Sequence, residues 1–97
     1  MPSAAEPLGP VFGALADPTR RELLERLSRE DDVSLTRLAD GLPISRQAVA
    51  KHLRVLEDAG LVSSARAGRE TRYTPSLDTM AGAAAWMARV GGEWDAR

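Results

Sequence analysis

The segment that most constrains the fold is residues 45–62, SRQAVAKHLRVLEDAGLV, which has the periodicity of one amphipathic helix. At about 100° per residue, Val49, Leu53 and Leu56 lie along one side and form an apolar stripe. The opposite side carries polar, basic and small residues: Gln47, Ala50, Lys51, Arg54 and Asp58. Ser45 is a residue type that commonly caps a helix N-terminus. The pattern therefore predicts a helix that packs on a core along one side and is cationic and sterically open on the other.

Basic residues are concentrated between residue 45 and residue 74. The whole chain has 13 Lys and Arg against 14 Asp and Glu, a net charge of −1. Residues 45–74 carry six basic and three acidic residues, a net charge of +3, whereas residues 1–44 carry five basic and eight acidic residues, a net charge of −3. This asymmetry is typical of a surface that meets a polyanion, although chance clustering on a solvated face is an alternative that charge alone leaves open.

Three shorter helices are predicted before this one. The first covers residues 8–16, in which apolar side chains recur at helical spacing: Val11, Phe12 and Leu15. Asp17 followed by Pro18 predicts the start of the second, because Asp is a good N-cap and Pro fits the first helical position. Ser34 is the predicted cap of the third, which covers residues 35–40 and leads through a tight turn, GLPI, into the next helix.

The segment LVSSARAGRETRYTP alternates in the manner of strand residues and has the turn AGRE at its centre. It predicts a β-hairpin that ends at Pro75 and carries three basic residues at or near its tip: Arg66, Arg69 and Arg72. Over residues 77–95, apolar and small residues recur at steps of three and four and predict a last amphipathic helix: Leu77, Met80, Ala84, Met87, Gly91 and Trp94. The predicted fold is therefore mainly α with a small β-hairpin, in the order α-α-α-α-β-β-α.

Length and composition limit the class of protein. A chain of 97 residues is sufficient for one domain, so residues 8–97 are predicted to form a single domain after a flexible lead over residues 1–7. The absence of Cys excludes disulfides, thiolate metal sites and cysteine catalysis. A signal-peptide pattern and an apolar run of about 18 residues are both absent, which predicts a cytoplasmic protein with no membrane partner. No nucleophile–base pair or phosphate-binding glycine loop is recognisable, so an enzyme is the weakest interpretation.

Two short helices joined by a tight turn and followed by a basic hairpin form a winged helix-turn-helix. A major groove about 12 Å wide admits one α-helix, whose exposed N-terminal half presents hydrogen-bond donors to base edges. Phosphates beside the groove attract Arg and Lys, and a hairpin can place Arg in the neighbouring minor groove. The pattern therefore predicts a protein that binds double-stranded DNA and explains why an acidic chain gathers its cations in one segment.

The candidate DNA-contacting residues follow from their helical positions. Those predicted to face bases are Gln47, Ala48 and Lys51, with Arg46 ranked below them because it lies nearer to the buried stripe. Those predicted to face phosphates or the minor groove are Ser45, His52, Arg54, Arg66, Arg69 and Arg72. A winged-helix module that contacts protein instead of DNA is the alternative, but a protein-docking face would more often be apolar.

Three stretches resemble the ArsR/SmtB family of bacterial winged-helix repressors: FGALADPTRRELLERL, LTRLADGLPISRQAVAKHLRVLEDAGLV and GRETRYTP. The resemblance covers about residues 10–77. It implies a homodimer with the first and last helices at its interface, which binds a palindromic operator near its own promoter. It also implies that a small-molecule effector releases the DNA. Interface candidates are the apolar residues of these two helices: Val11, Phe12, Leu15, Met80, Ala84, Met87 and Trp94.

The sequence departs from the metal-sensing members of that family. Many of them bind metal through a Cys-x-Cys pair where this chain has Ser34 and Thr36, and others use Asp and His on the last helix, which here contains no His. His52 is the only His of the chain, and one His cannot form a site. The departures predict a metal-independent member without a cofactor. Trp86 and Trp94 are interpreted as interface residues because the neighbouring AGAAAW stretch allows two helices to approach closely, with an effector pocket as the alternative.

Overall fold

The computed structural model describes the backbone of residues 8–30 and 32–95 and the side chains of these residues up to Gly92. Five helices and three short strands follow one another along the chain: α1 (Leu8–Ala14), α2 (Pro18–Arg29), β1 (Val33–Ser34), α3 (Leu35–Ala39), α4 (Arg46–Asp58), β2 (Val62–Ala67), β3 (Glu70–Pro75) and α5 (Leu77–Asp95). The lead predicted for residues 1–7 and the side chain of Trp94 lie outside the described residues. The mainly helical winged helix-turn-helix fold is confirmed.

The three predicted N-caps all form. Asp17 accepts a hydrogen bond from the backbone N–H of Arg20 at 3.0 Å. Ser34 caps α3 at 3.1 Å and Ser45 caps α4 at 3.1 Å, each by accepting from the N–H three residues later. Each cap satisfies one of the N–H groups that a helix N-terminus leaves unpaired. The starts of these helices are therefore encoded locally.

Helix α1 ends at Ala14, two residues earlier than the sequence predicts. Asp17 must be extended to cap α2, with φ −92° and ψ 128°, so the chain cannot remain helical up to it. Two arginines of α2 take up carbonyls that the end of α1 leaves free: Arg20 Nε donates to the Ala14 carbonyl and Arg21 Nη1 to the Leu15 carbonyl, both at 2.7 Å. The chain therefore turns sharply between α1 and α2.

The predicted order of elements omitted strand β1. Val33 pairs with Tyr73 and Ser34 with Arg72, so the hairpin is part of a three-stranded antiparallel sheet with the order β1-β3-β2. Two residues are too few to show an alternating pattern in the sequence. Their strand conformation arises from pairing with a segment about 40 residues later, which no local signal announces.

The core lies between α2, α4 and the sheet. Leucines dominate it, and those with no exposed surface are Leu23, Leu27, Leu38, Leu53, Leu56 and Leu61. The predicted stripe of α4 consists of Val49, Leu53 and Leu56, and all three are fully buried. Burying each such side chain stabilises the fold by about 1.5–3 kcal/mol. Burial of this stripe determines which side of α4 faces the core, and hence which residues it exposes.

The C-terminal end of α4 reverses the direction of the chain and leads it into the sheet. Gly60 adopts φ +81°, its N–H donates to the Glu57 carbonyl, and the Leu61 N–H donates to the Leu56 carbonyl, both at 2.9 Å. This is the pattern of a Schellman motif, which requires a left-handed residue after the helix. The reversal places Leu61 in the core and begins β2 one residue later.

Candidate nucleic-acid interface

The outer face of α4 is polar and accessible from its first turn to Arg54. Four of the predicted contact residues are exposed there: Arg46, Gln47, Lys51 and Arg54. Ala48 is half-buried, and the hydroxyl oxygen of Ser45 accepts a hydrogen bond from the Ala48 N–H. The exposed side chains offer amide, ammonium and guanidinium donors of the kind that bind base edges and phosphates in a major groove.

Helix α3 is held against α2 by a residue that the sequence analysis did not single out. The guanidinium of Arg26 donates to the carbonyl of Leu38 at 2.9 Å and to that of Arg37 at 3.0 Å. These carbonyls belong to the last turn of a five-residue helix, where that of Arg37 also accepts from the Asp40 backbone N–H at 3.2 Å. Arg26 therefore stabilises the first helix of the helix-turn-helix and, through the following turn, the placement of α4. The local sequence gave no indication of this contact, because the two carbonyls lie 12 and 11 positions later in the chain.

The hairpin of residues 62–75, which we call the wing, has the predicted two-residue turn. Ala67 pairs with Glu70, and Gly68 adopts φ +66° at the first loop position, as type II′ turns require. Arg66 and Arg69 are exposed and form no salt bridge within the described residues. Because Arg66 opposes Thr71, it lies on the same sheet face as Tyr73, which faces α4.

Arg72 is placed differently from the other two wing arginines. Its Nε lies 3.1 Å from Oδ1 of Asp32 and its Nη1 lies 2.9 Å from Oε1 of Glu70. The hydrogen bond and charge of Asp32, with a smaller contribution from Glu70, raise the pKa of the Arg72 guanidinium. Arg72 was predicted to face phosphates or the minor groove, but in the structure it forms ion pairs within the chain.

A groove separates the outer face of α4 from the wing. It is lined by Ala50, Lys51, Arg54, Val55, Glu57 and Tyr73. The Ser64 hydroxyl donates to Oε2 of Glu57 at 2.8 Å, which ties β2 to the end of α4. Burial, with a smaller effect of the Glu57 charge, raises the pKa of Tyr73, so its hydroxyl stays protonated near neutral pH. Helix α4 and the wing are thus held in one arrangement by side-chain contacts.

His52 is half-buried and turned toward α2. Its Nδ1 lies 3.3 Å from Nη1 of Arg20 and 3.9 Å from Oδ2 of Asp17. The ring was predicted to face phosphates or the minor groove. Its two neighbours are 32 and 35 positions away along the chain, and no local pattern links them.

A second exposed surface lies on α5. From Leu77 to Gly92 only Ala83 is buried, whereas Met87 is 51% exposed, Val90 46% and Trp86 37%. The Trp86 ring packs on that of Phe12 at a centroid distance of 5.7 Å. Of the other predicted interface residues, Ala84 is exposed, Leu15 and Met80 are half-buried, and Val11 is already in the core of the single chain with 1% exposure.

Two absences concern only the part of the chain that the structure describes. Among the described side chains, those of residues 8–30 and 32–92, no group of three or more His, Cys, Asp or Glu could hold a metal ion. Over the described backbone, residues 8–30 and 32–95, no helix is both long and apolar enough to cross a membrane.

Comparison with known proteins gives consistent matches. The family model described as a helix-turn-helix domain matches residues 15–65. The HTH-type transcriptional regulator YuzN of Bacillus subtilis is 49% identical over 65 residues, which cover 61% of this chain and 71% of that protein. The transcriptional repressor SdpR of the same organism is 31% identical over 77 residues, 79% of this chain and 84% of that protein. The structure of an ArsR-like transcriptional regulator from Rhodococcus sp. RHA1 superposes with a TM-score of 0.79 and 48% identity, over 93% of this chain and 84% of that one.

Proposed function

This chain belongs to the ArsR/SmtB family of winged helix-turn-helix transcriptional regulators, whose members are not enzymes, and from that premise we propose that it is a homodimeric repressor of a palindromic DNA operator. The observation that carries the proposal is the exposed donor face of α4 beside a cationic wing. Because the stripe of Val49, Leu53 and Leu56 is buried, the opposite side of α4 is exposed. Gln47 and Lys51 lie on that exposed side. We therefore call α4 the recognition helix.

Sequence recognition is assigned to the first two turns of the recognition helix. Gln47 can form a bidentate contact with adenine, and Lys51 or Arg46 can donate to guanine. Arg54 lies one turn further along and, with Arg66 and Arg69 of the wing, is assigned to phosphates or the minor groove. We do not assign His52 and Arg72 to direct DNA contacts, because their side chains have partners within the chain.

Homodimerisation is supported by the exposed apolar face of α5. Met87 and Val90, with Trp86 beside them, form a patch that a monomer would leave in water. In a twofold dimer the same patch meets itself, and two recognition helices then face half-sites about one helical turn apart. That symmetry implies a palindromic operator. We propose that this operator lies close to the promoter of the gene that encodes the chain.

We assign no metal to the regulatory mechanism. The chain has no Cys and one His, and Ser34 and Thr36 stand where the resemblance places a thiolate pair. Ser34 is occupied as the N-cap of α3, with its oxygen 3.1 Å from the Arg37 nitrogen. Control by a small molecule other than a metal is therefore the mode of regulation that we propose.

Selection of duplexes from a random-sequence library by the intact protein tests the proposal. We expect an enriched inverted repeat with half-site centres about one turn apart, 34–36 Å. A variant carrying Gln47→Ala and Lys51→Ala, both exposed and outside the core, is the matched control and should enrich no common sequence. Failure of the unaltered protein to enrich any sequence would reject specific DNA binding and favour the protein-interaction alternative.

A further inference from the structure

One guanidinium group joins three helices. Arg20, in the first turn of α2, donates from Nε to the Ala14 carbonyl at 2.7 Å and from Nη2 to the Gly13 carbonyl at 3.4 Å, both at the end of α1. Its Nη1 lies 3.3 Å from Nδ1 of His52 in the middle of α4. The contacts with α1 and with α4 thus use different nitrogen atoms of one planar group.

An arginine is well suited to such a link. The guanidinium is rigid and planar, so its donors keep fixed angles to one another, whereas a Lys ammonium is a single point on a flexible stem. Helix α2 positions the start of this side chain, because the Arg20 backbone N–H is held by Oδ2 of Asp17 at 3.0 Å. A displacement of the α1 carbonyls therefore changes the position of the donor that faces the His52 ring.

The contact also determines which imidazole nitrogen carries the proton. Arginine cannot accept a hydrogen bond, so Nδ1 of His52 must be the acceptor and the proton of the neutral ring must lie on Nε2. Asp17 Oδ2, at 3.9 Å, is beyond hydrogen-bond distance from the same nitrogen. Arg20 and Asp17 therefore favour opposite protonation states of Nδ1, and the nearer group is Arg20.

We propose that Arg20 is a positioning residue that couples the dimerisation helix α1 to the recognition helix through His52. The proposal rests on the function proposed above. Helix α1 carries Phe12, which packs on Trp86 of the exposed α5 face, so a change in dimer packing reaches Arg20 through one short helix. His52 lies next to Lys51 in the chain, and the Arg20 contact limits rotation of α4 about its axis. Dimer assembly and DNA affinity are thereby linked.

Two replacements of His52 separate this role from a direct phosphate contact. In His52→Asn the amide oxygen takes the place of Nδ1 and can accept from Arg20, but nothing replaces Nε2. In His52→Gln the amide nitrogen takes the place of Nε2, and the acceptor for Arg20 is lost. We expect His52→Asn to bind the selected duplex within about twofold of the original protein and His52→Gln to bind it about five- to tenfold more weakly.

A double-mutant cycle tests whether His52 acts through its contact with Arg20. Arg20→Gln should weaken binding of the same duplex about as much as His52→Gln, and the double variant should be no weaker than either single variant. Arg21→Gln is the matched control, since Arg21 is adjacent on the same helix and donates only to the Leu15 carbonyl within the described residues. It should bind the duplex as the original protein does.

A spectroscopic measurement tests the contact without DNA. His52 is the only imidazole of the chain, so its two ring nitrogens can be assigned directly by nitrogen-15 NMR. At pH 8 the intact protein should show an unprotonated Nδ1, and in Arg20→Gln the remaining neighbour, Asp17, should shift the proton toward Nδ1. A wild-type ring protonated at Nδ1, or a ring that Arg20→Gln leaves unchanged, would overturn the proposal.

These outcomes distinguish failure of the proposed coupling through Arg20 and His52 from failure of the proposed function. If the unaltered protein binds no duplex specifically, the function fails, and the NMR result still decides whether Arg20 holds the ring. If it binds but His52→Gln keeps its affinity while His52→Asn loses it, His52 is a phosphate contact and the link is wrong. Additive losses in the double variant would reject the link in the same way.

Discussion

The Nε atom of Arg72 lies 3.1 Å from Oδ1 of Asp32, a residue 40 positions earlier in the chain. This contact joins β3 to the segment that leads into β1. Asp32 has φ +59°, a left-handed conformation that Asp tolerates better than most residues. Both partners are therefore constrained, and the contact attaches the wing, through β3, to the segment that precedes β1.

Removing Arg72 should affect DNA binding differently from removing Arg69. Arg72 is neutralised by Asp32 and Glu70, whereas Arg69 is exposed at the wing turn. We expect Arg69→Gln to reduce the slope of log affinity against log salt by about 2 for a dimer, and Arg72→Gln to leave it unchanged. Titrations of one duplex in increasing salt would measure both slopes. Equal reductions in the two variants would show that Arg72 also reaches phosphate.

The total salt dependence follows from the number of accessible cations. Three or four per protomer contact phosphate in our assignment, which is six to eight for a dimer. The slope of log affinity against log salt should then be about −5 to −7. Binding of the selected duplex measured by fluorescence anisotropy between low and moderate salt would test this value. A slope near zero would be incompatible with the proposed interface.

Recognition and positioning should be separable by mutation. Gln47→Ala and Lys51→Ala should each reduce the preference for the operator over a mismatched duplex by about 1–3 kcal/mol, because each removes a contact to a base edge. Arg69→Ala should weaken both duplexes alike. Competition binding with the two duplexes measures the difference. Loss of specific binding alone in Arg69→Ala would instead make the wing a sequence-recognising element.

The exposed face of α5 should control assembly. Met87→Glu places a charge in the apolar patch and should produce monomers, since Met87 is 51% exposed in the single chain and its replacement leaves the core intact. Ala85→Glu is the matched control, because Ala85 is exposed on the opposite side of the same helix. Sedimentation at micromolar concentration should find a dimer for the control. A monomeric unaltered protein that binds its operator tightly would exclude the dimer model.

The cap of α2 should make stability depend on pH in the acid range. The Arg20 backbone N–H, followed by the nearby His52 and Arg20 charges, lowers the pKa of Asp17, and partial desolvation opposes this effect. A lowered folded-state pKa means that the stabilisation is present above about pH 4 and is lost as the pH falls through the folded-state pKa. The Tm difference between the unaltered protein and Asp17→Asn, which caps without charge, should therefore shrink below about pH 4. A constant difference would argue against this contribution.

Local features of the chain were predictable from the sequence by itself. The caps at Asp17, Ser34 and Ser45 depend on residues three positions apart, and the wing turn depends on Gly68 within a four-residue segment. The buried stripe of α4 follows from helical periodicity alone. Because this stripe also determines the opposite face, exposure of Gln47, Lys51 and Arg54 was predicted before any tertiary contact was known.

Contacts between distant segments were decided only by the tertiary structure. Strand β1 exists because Val33 and Ser34 meet β3, and Arg72 has a partner because Asp32 lies beside that strand. The same holds for the Arg20–His52 contact and for the burial of Val11 inside one chain. Sequence periodicity describes which side of an element is apolar, but it carries no information about which other element packs there. A long side chain such as Arg looks solvated in any helical pattern, and its partner is defined only when the helices are packed.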